Sequence, residues 1–240
     1  GPLGQGFGNA VGMAIAEEAL AARFNRPGHS IVDHYTYALA SDGDLMEGIS
    51  SEAASLAGHL RLGKLIVLYA DNHISIEGGT GLTFTEDRVA RFAAYGWHVQ
   101  RVEDGNDLAA VDAALRNAQG EKDRPSFIDV HTHIGFGSPH KQDTAAAHGE
   151  PLGEEEVRLT KAHLGWPLEP PFYLPPAALD HFRQAVQPGA AWQRVWEASY
   201  TAYAGAYPPR AAAIHRPSEG DGSQGRRARK AARHRTRPAG

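Results

Sequence analysis

Two stretches decide the fold: Tyr35–Ala40 (YTYALA), which runs into Ser41-Asp42-Gly43, and Leu65–Tyr69 (LIVLY), which runs into Asp71-Asn72-His73. The second is a short, continuous apolar run between polar residues, the pattern of a strand buried on both faces. The first has strand character and ends in a loop signal. Between them, Ile49–Leu60 (ISSEAASLAGHL) reads as a helix with small residues on one face, which allows close packing on a sheet. Upstream, Gln5–Phe24 carries Val11, Ile15, Leu20 and Phe24 at helix-like spacing among many alanines. Downstream, the pattern predicts a helix around Glu86–Tyr95, a strand at His98–Val102, a helix at Leu108–Gln119 and a strand at Ser126–Thr132. This alternation predicts an α/β fold, a parallel sheet with helices on both faces. Ligands of such sheets bind at the carboxyl ends of the strands, where both polar loops lie.

Beyond Gly149 the chain changes character. Glu154–Leu164 reads as a helix, Trp166–Pro176 as Pro-rich and extended, and Leu179–Tyr203 as one or two helices carrying Trp192, Trp196, Tyr200 and Tyr203. From about Arg210 apolar content collapses, and Gly225–Arg235 (GRRARKAARHR) is a basic run. Such composition buries too little surface to offset its ordering entropy. The expected organisation is a ligand-binding domain over 1–170, a helical extension over 171–209 and a disordered basic tail over 210–240. The tail lacks interleaved aromatics, so nucleic acid is not the expected partner. The opening Gly1-Pro2-Leu3-Gly4-Gln5-Gly6 leads straight into a helix and reads as the interior of a domain, with earlier sequence expected before it.

Hydrophobic content of 42% and charged content of 22% are those of a globular chain with a real core. The absence of cysteine excludes disulfides, thiolate catalysis and cysteine-ligated metals. A net charge of −4 gives no bias toward nucleic acid or membrane surfaces. No run approaches the roughly 20 apolar residues a membrane helix requires. A cytoplasmic location is expected.

The chemistry centres on Asp42-Gly43, Glu47-Gly48 and Asn72, which follows Asp42 by thirty residues. A hard cation that bridges a diphosphate takes oxygen ligands in octahedral geometry. One carboxylate, one amide oxygen and one backbone carbonyl from neighbouring strand ends suit it. Gly43 lets the backbone pass close to phosphate, and a helix starting near Glu47 or Ile49 directs free N–H groups at an anion. Blander readings exist: Asp-Gly is a common turn dipeptide, and Glu47 could serve only as a helix cap. His131, His133, His140 and His148 do not have the spacing of a standard zinc motif.

The run S-D-G-D-L-M-E-G followed by D-N-H-I-S-I-E-G resembles the thiamine diphosphate motif of transketolases. In family order, G-P-L-G-Q-G at 1–6, R-F-x-A-Y-G-W-H-V at 91–99, I-G-F-G-S-P at 134–139 and H-G-x-P-L-G at 148–153 also resemble family segments. The resemblance covers roughly residues 1–170. It implies that Asp42, the Asn72 side chain and the Ile74 carbonyl ligate Mg²⁺ (or Ca²⁺), and that Gly43 lies against the diphosphate. It further implies that Gly1, Pro2 and Leu3 lie against the aminopyrimidine. Glu47 corresponds to the acidic residue that meets the partner subunit's catalytic glutamate. His148 corresponds to the histidine near the diphosphate and the donor-substrate hydroxyls. Ser41 departs from the motif's usual first glycine, Ala70 from a frequent Asp, Ala145 from a second family histidine, and His131 from Lys or Arg.

The implied activity is transfer of a two-carbon ketol unit between sugar phosphates, in a homodimer whose other subunit supplies the pyrimidine-binding domain. That domain is not recognisable here, so the chain alone is expected to be inactive. Three alternatives stand: a related thiamine enzyme such as dihydroxyacetone synthase or 1-deoxyxylulose-5-phosphate synthase, the non-catalytic subunit of a split transketolase, or a gene fragment. The G-F-G-S-P and H-G-x-P-L-G segments favour transketolase over 1-deoxyxylulose-5-phosphate synthase.

Overall fold

The computed structural model describes residues 2–214. Gly1, expected beside the aminopyrimidine, and the basic run 225–235 lie outside the described residues. The described residues divide into two compact units, 2–15 with 34–176, and 16–33 with 177–214.

The first unit is built on four parallel strands, β1 (Thr36–Ser41), β2 (Leu65–Asp71), β5 (His98–Val102) and β6 (Ser126–His131), in the order β1-β2-β6-β5. A hairpin of two short strands, β3 (Ile74–Ser75) and β4 (Gly78–Gly79), follows β2. Leu65, Ile66 and Val67 are fully buried, as a central strand of a parallel sheet requires. Side-chain alternation divides the core. On one face Leu65, Val67, Tyr69 and Phe127 meet helices α1 (Gln5–Phe24), α3 (Gly48–Leu60) and α4 (Arg88–Ala94). On the other, Ile66, Ile128, Val102 and Val130 meet Ala114 and Ala118 of α5 (Leu108–Gly120). The predicted α/β class, with helices on both faces, is therefore the observed one.

The first face is aromatic at its centre. Phe92 stacks on Phe127 with ring centroids 3.8 Å apart and packs edge-on against Trp97 at 5.1 Å. Each such buried ring contributes on the order of 2–3 kcal/mol of apolar transfer free energy. Trp97 Nε1 donates to the Ala54 carbonyl at 2.9 Å, which ties the start of β5 to α3. The small-residue face of α3 permits this approach: a Cβ at Gly58 would lie 1.9 Å from the Tyr95 carbonyl oxygen.

Helix boundaries follow local chemistry. Asp87 caps α4 by accepting from the Ala90 amide, and Asp107 caps α5 by accepting from Ala109 and Ala110. Helix α7 (Glu154–His163) has Glu154, Glu155 and Glu156 in its first turn and Lys161 and His163 in its last, matching the helix dipole. A four-residue helix, α6 (Ala146–Gly149), precedes it. Two elements depart from expectation. Residues Asp42–Met46 form a short helix, α2, rather than a loop. Arg210–Ile214, placed by composition at the start of a disordered tail, lie in helix α10 (Pro208–Ile214).

In the second unit, α8 (Pro176–Arg183), α9 (Val186–Ala206) and α10 accompany the C-terminal part of α1. Tyr203, Ile31 and Ala211 form its core. Asn25 holds the turn after α1: its Oδ1 accepts from the Ile31 and Val32 amides at 2.8 and 2.9 Å. Trp196 Nε1 donates to the Ile31 carbonyl at 3.1 Å.

Candidate active site: an oxygen-ligand cation cradle

Strands β1 and β2 run in register with Ala40 beside Tyr69 and Ser41 beside Ala70, so Asp42 and Asp71-Asn72 leave the sheet side by side. Ser41 is extended (φ −125°, ψ 179°), a conformation open to any residue, so its departure from glycine costs no backbone strain. Its amide donates to Asp44 Oδ2 at 2.9 Å and its hydroxyl hydrogen-bonds the same oxygen at 3.1 Å. The other oxygen, Asp44 Oδ1, accepts from the Gly4 amide at 3.0 Å. The segment Pro2–Gly4 is thereby docked on α2. Gly4 is left-handed (φ +73°), and a Cβ there would lie 2.7–2.9 Å from Ile49, Glu47 and Ser50. A Cβ on Gly43 would meet the Leu3 side chain at 3.2 Å.

Asp42 is 2% exposed. Its Oδ1 accepts from the Tyr69 hydroxyl at 2.6 Å, whereas Oδ2 is buried and has no hydrogen-bond partner among the described residues. Burial pushes the Asp42 carboxyl up; the Tyr69 hydroxyl and the Asn72 backbone N–H oppose that, and Asp71 reinforces it. Burial and the same carboxylates push the Tyr69 phenol far up, so it is a donor at any physiological pH. A buried, unpaired carboxylate oxygen is costly, and a bound cation removes that cost.

Asn72, just past the end of β2, forms an Asx turn. Its Oδ1 accepts from the Ile74 amide at 2.9 Å, and His73 between them is left-handed (φ +60°). A non-glycine residue in that region is uncommon and here folds Asn72 back onto Ile74. One amide lone pair remains for a cation. A carboxylate, an amide oxygen and a backbone carbonyl form a hard donor set that fits Mg²⁺ or Ca²⁺. No cluster of three His, Cys, Asp or Glu side chains able to hold a metal exists among the described residues.

Glu47 links α2 and α3, occupies the N-cap position of α3 and is exposed; its side chain makes no capping hydrogen bond. His148 lies exposed on α6. Neither hydrogen-bonds to Asp42 or Asn72 among the described residues. The loop after β6 is locked from outside by Glu156, which accepts from Ser138 Oγ at 2.5 Å and from the His140 amide at 2.9 Å, with His140 Nδ1 also 2.9 Å away. These contacts, the Ser138 hydroxyl foremost, hold the Glu156 carboxyl down at about 2.

A crevice of about 200 Å³ is lined by Asp71, His73, Arg88, Arg101, Glu103, Asp129 and His131. Its arginines are committed: Arg88 to Asp71 at 2.7 Å and Arg101 to Asp129 at 3.1 Å. Strand β6 ends at His131, so His133 lies beyond it; the two rings still meet edge-on, 5.0 Å apart. Tyr69, Asp71, Asp44, Arg88 and Glu156 are the residues that sequence reasoning did not single out. Asp44 was within reach, because Ser41-x-x-Asp44 has capping-box spacing.

A family profile described as "Transketolase, thiamine diphosphate binding domain" matches residues 1–222. The transketolase of Nostoc sp. is 54% identical over 217 residues, covering 90% of this chain and 32% of that protein. Transketolase 1 of Escherichia coli is 52% identical over 221 residues, covering 92% and 33%. The solved transketolase of Leishmania mexicana superposes with a TM-score of 0.87 at 47% identity, over 89% of this chain and 32% of that one. The chain thus spans about a third of the length of the relatives it matches.

Proposed function

The chain belongs to the transketolase family, in the region of its thiamine diphosphate binding domain, and from that premise we propose that Asp42, Asn72 and the Ile74 carbonyl anchor Mg²⁺–thiamine diphosphate for two-carbon ketol transfer from a ketose phosphate to an aldose phosphate. The observation that carries the reading is Asp42 Oδ2, a buried carboxylate oxygen without a partner among the described residues, beside the Asn72–Ile74 turn. Ca²⁺ has the same ligand preferences and would substitute for Mg²⁺.

When bound, the cofactor supplies the carbanion chemistry of ketol transfer. The work of this chain is binding and orientation. Gly43 would lie against the diphosphate, and Pro2 and Leu3, whose segment is pinned through Gly4 to Asp44, would line the aminopyrimidine. His148 approaches the diphosphate and the donor hydroxyls, and Glu47 meets the partner subunit across a homodimer interface. The activating glutamate would come from the pyrimidine-binding domain of that partner. A cytoplasmic setting belongs to the same proposal; no helix among the described residues is long and apolar enough to cross a membrane.

Calorimetric titration of thiamine diphosphate with Mg²⁺ tests the anchor. The unmodified chain is expected to bind, with Asp42→Ala and Asn72→Ala each weakening it at least tenfold. Equal behaviour of all three would overturn the ligand assignment.

A further inference from the structure

Tyr69 is fully buried, and its ring needs no hydroxyl to pack. It stacks on Phe127 with centroids 5.7 Å apart, and the Arg88 guanidinium lies over it, 5.7 Å from its centroid. A phenylalanine would make the same contacts. The hydroxyl, however, sits between two carboxylates, 2.6 Å from Asp42 Oδ1 and 3.1 Å from Asp71 Oδ1. It has one proton to donate, and the shorter contact takes it. Asp71 is itself held by Arg88 at 2.7 Å and by His73 Nδ1 at 3.0 Å. The ring is therefore held by stacking on Phe127 and by the Arg88 guanidinium over it.

A carboxylate turns freely about its terminal torsion, which has no sharp staggered wells. One short, charge-assisted bond to a fixed donor sets its plane. From this geometry we infer that Tyr69 is a positioning residue of the cation site, holding Asp42 by Oδ1 so that Oδ2 is presented to the metal. The inference rests on the cation reading given above and adds the element that pre-organises it. Outer partners of this kind tune metal affinity by about ten- to a hundredfold.

The test uses the 240-residue chain with saturating thiamine diphosphate and Mn²⁺ as an EPR-visible stand-in for Mg²⁺. Tyr69→Phe is expected to weaken Mn²⁺ binding about ten- to a hundredfold, with an unchanged far-UV circular dichroism spectrum. In an Asp42→Ala background the same substitution is expected to add less than about twofold, because the oxygen it positions is gone. A Phe127→Leu control, which disturbs the stacking but keeps the hydroxyl, is expected to lose stability and retain Mn²⁺ affinity. If Tyr69→Phe does not fold, the unmodified chain carries the test: the Tyr69 ¹³Cζ resonance is expected to move when Mg²⁺ and cofactor are added.

Mn²⁺ affinity unchanged in Tyr69→Phe while Asp42→Ala weakens it would overturn this inference alone. An equal loss from Tyr69→Phe in both backgrounds, or a Tyr69 resonance indifferent to Mg²⁺, would do the same. Unchanged affinity in Asp42→Ala would overturn the cation site and this inference together.

Discussion

The Gly4 amide donates to Asp44 Oδ1 across forty residues of sequence, while the Ser41 amide takes the other oxygen of the same carboxylate. One side chain thereby fastens the N-terminal segment to the first turn of α2, two residues from Asp42. Hydrogen bonds to a charged acceptor contribute about 1.5–3 kcal/mol each. Asp44→Ala is expected to lower stability by about 2–4 kcal/mol, these bonds being partly replaced by water. Amide hydrogen exchange at Gly4 and Ser41 should accelerate more than at the β2 amides. Uniform acceleration across the unit would show that Asp44 supports the whole fold and not this junction.

Gly58 tests the packing beneath the site. Its missing Cβ leaves room for the Tyr95 carbonyl, which would stand 1.9 Å from an added methyl. The obstruction is backbone, so no side chain can swing away. Overpacking at a rigid contact costs typically 1–3 kcal/mol and occasionally more. Gly58→Ala is expected at or above the top of that range, a fall in Tm on the order of 10 °C for a chain of this size. The gain in helix propensity, about 1 kcal/mol, does not offset it. A melting temperature equal to the parent's would contradict the close approach of α3 to the α4–β5 turn.

Glu156 gives a pH dependence with a definite sign. Its carboxyl lies near 2 in the folded chain against an ordinary 4.5. A depressed folded-state value contributes stability above the unfolded value, and that contribution is lost as pH falls from about 4.5 through about 2. Glu156→Gln cannot titrate, so the stability difference between it and the parent is expected to be largest above pH 5 and to shrink in acid. Chemical denaturation at several pH values reads this directly. A difference that stays constant down to pH 2 would mean that the Ser138 and His140 contacts do not depend on charge.

Much of this fold is legible in the sequence. Gln5–Phe24 is helical over the very residues its apolar spacing predicts, and the LIVLY run is a strand buried on both faces, because long periodic segments carry their own signal. Helix α2 was not legible: five residues beginning Asp-Gly-Asp read locally as a turn, and the local Ser41 contacts are joined by a bond from Gly4, forty residues away. Asp42 and Asn72 stood out as oxygen ligands, whereas Tyr69 looked like one more core residue of an apolar run. Only the β1–β2 register, with Ala40 beside Tyr69, brings its hydroxyl to Asp42. The Glu156 lock joins residues eighteen apart with no shared motif, which sequence spacing alone does not reveal.

On the proposed cation site, Asp42 would trade stability against binding. Burial raises its carboxyl above the ordinary 3.8, so the metal-free fold is penalised wherever the group must ionise. The folded chain holds this proton to higher pH than the unfolded chain, and its stability therefore falls as pH rises through the raised value. Asp42→Asn removes the charge and keeps Oδ1 as an acceptor for Tyr69, leaving a neutral amide where an unpaired carboxylate oxygen was buried. A buried unsatisfied group costs about 1–3 kcal/mol, and more when charged. Without metal at neutral pH, Asp42→Asn is thus expected to melt a few degrees higher than the parent. With Mg²⁺ and thiamine diphosphate the order reverses, since only the parent gains the binding term, which grows with the logarithm of ligand concentration over Kd. Scanning calorimetry of both chains under both conditions reads the crossing. A parent chain more stable than Asp42→Asn without metal would mean that the Asp42 charge is already compensated within the fold, and the orphaned oxygen would lose its meaning as a cation ligand.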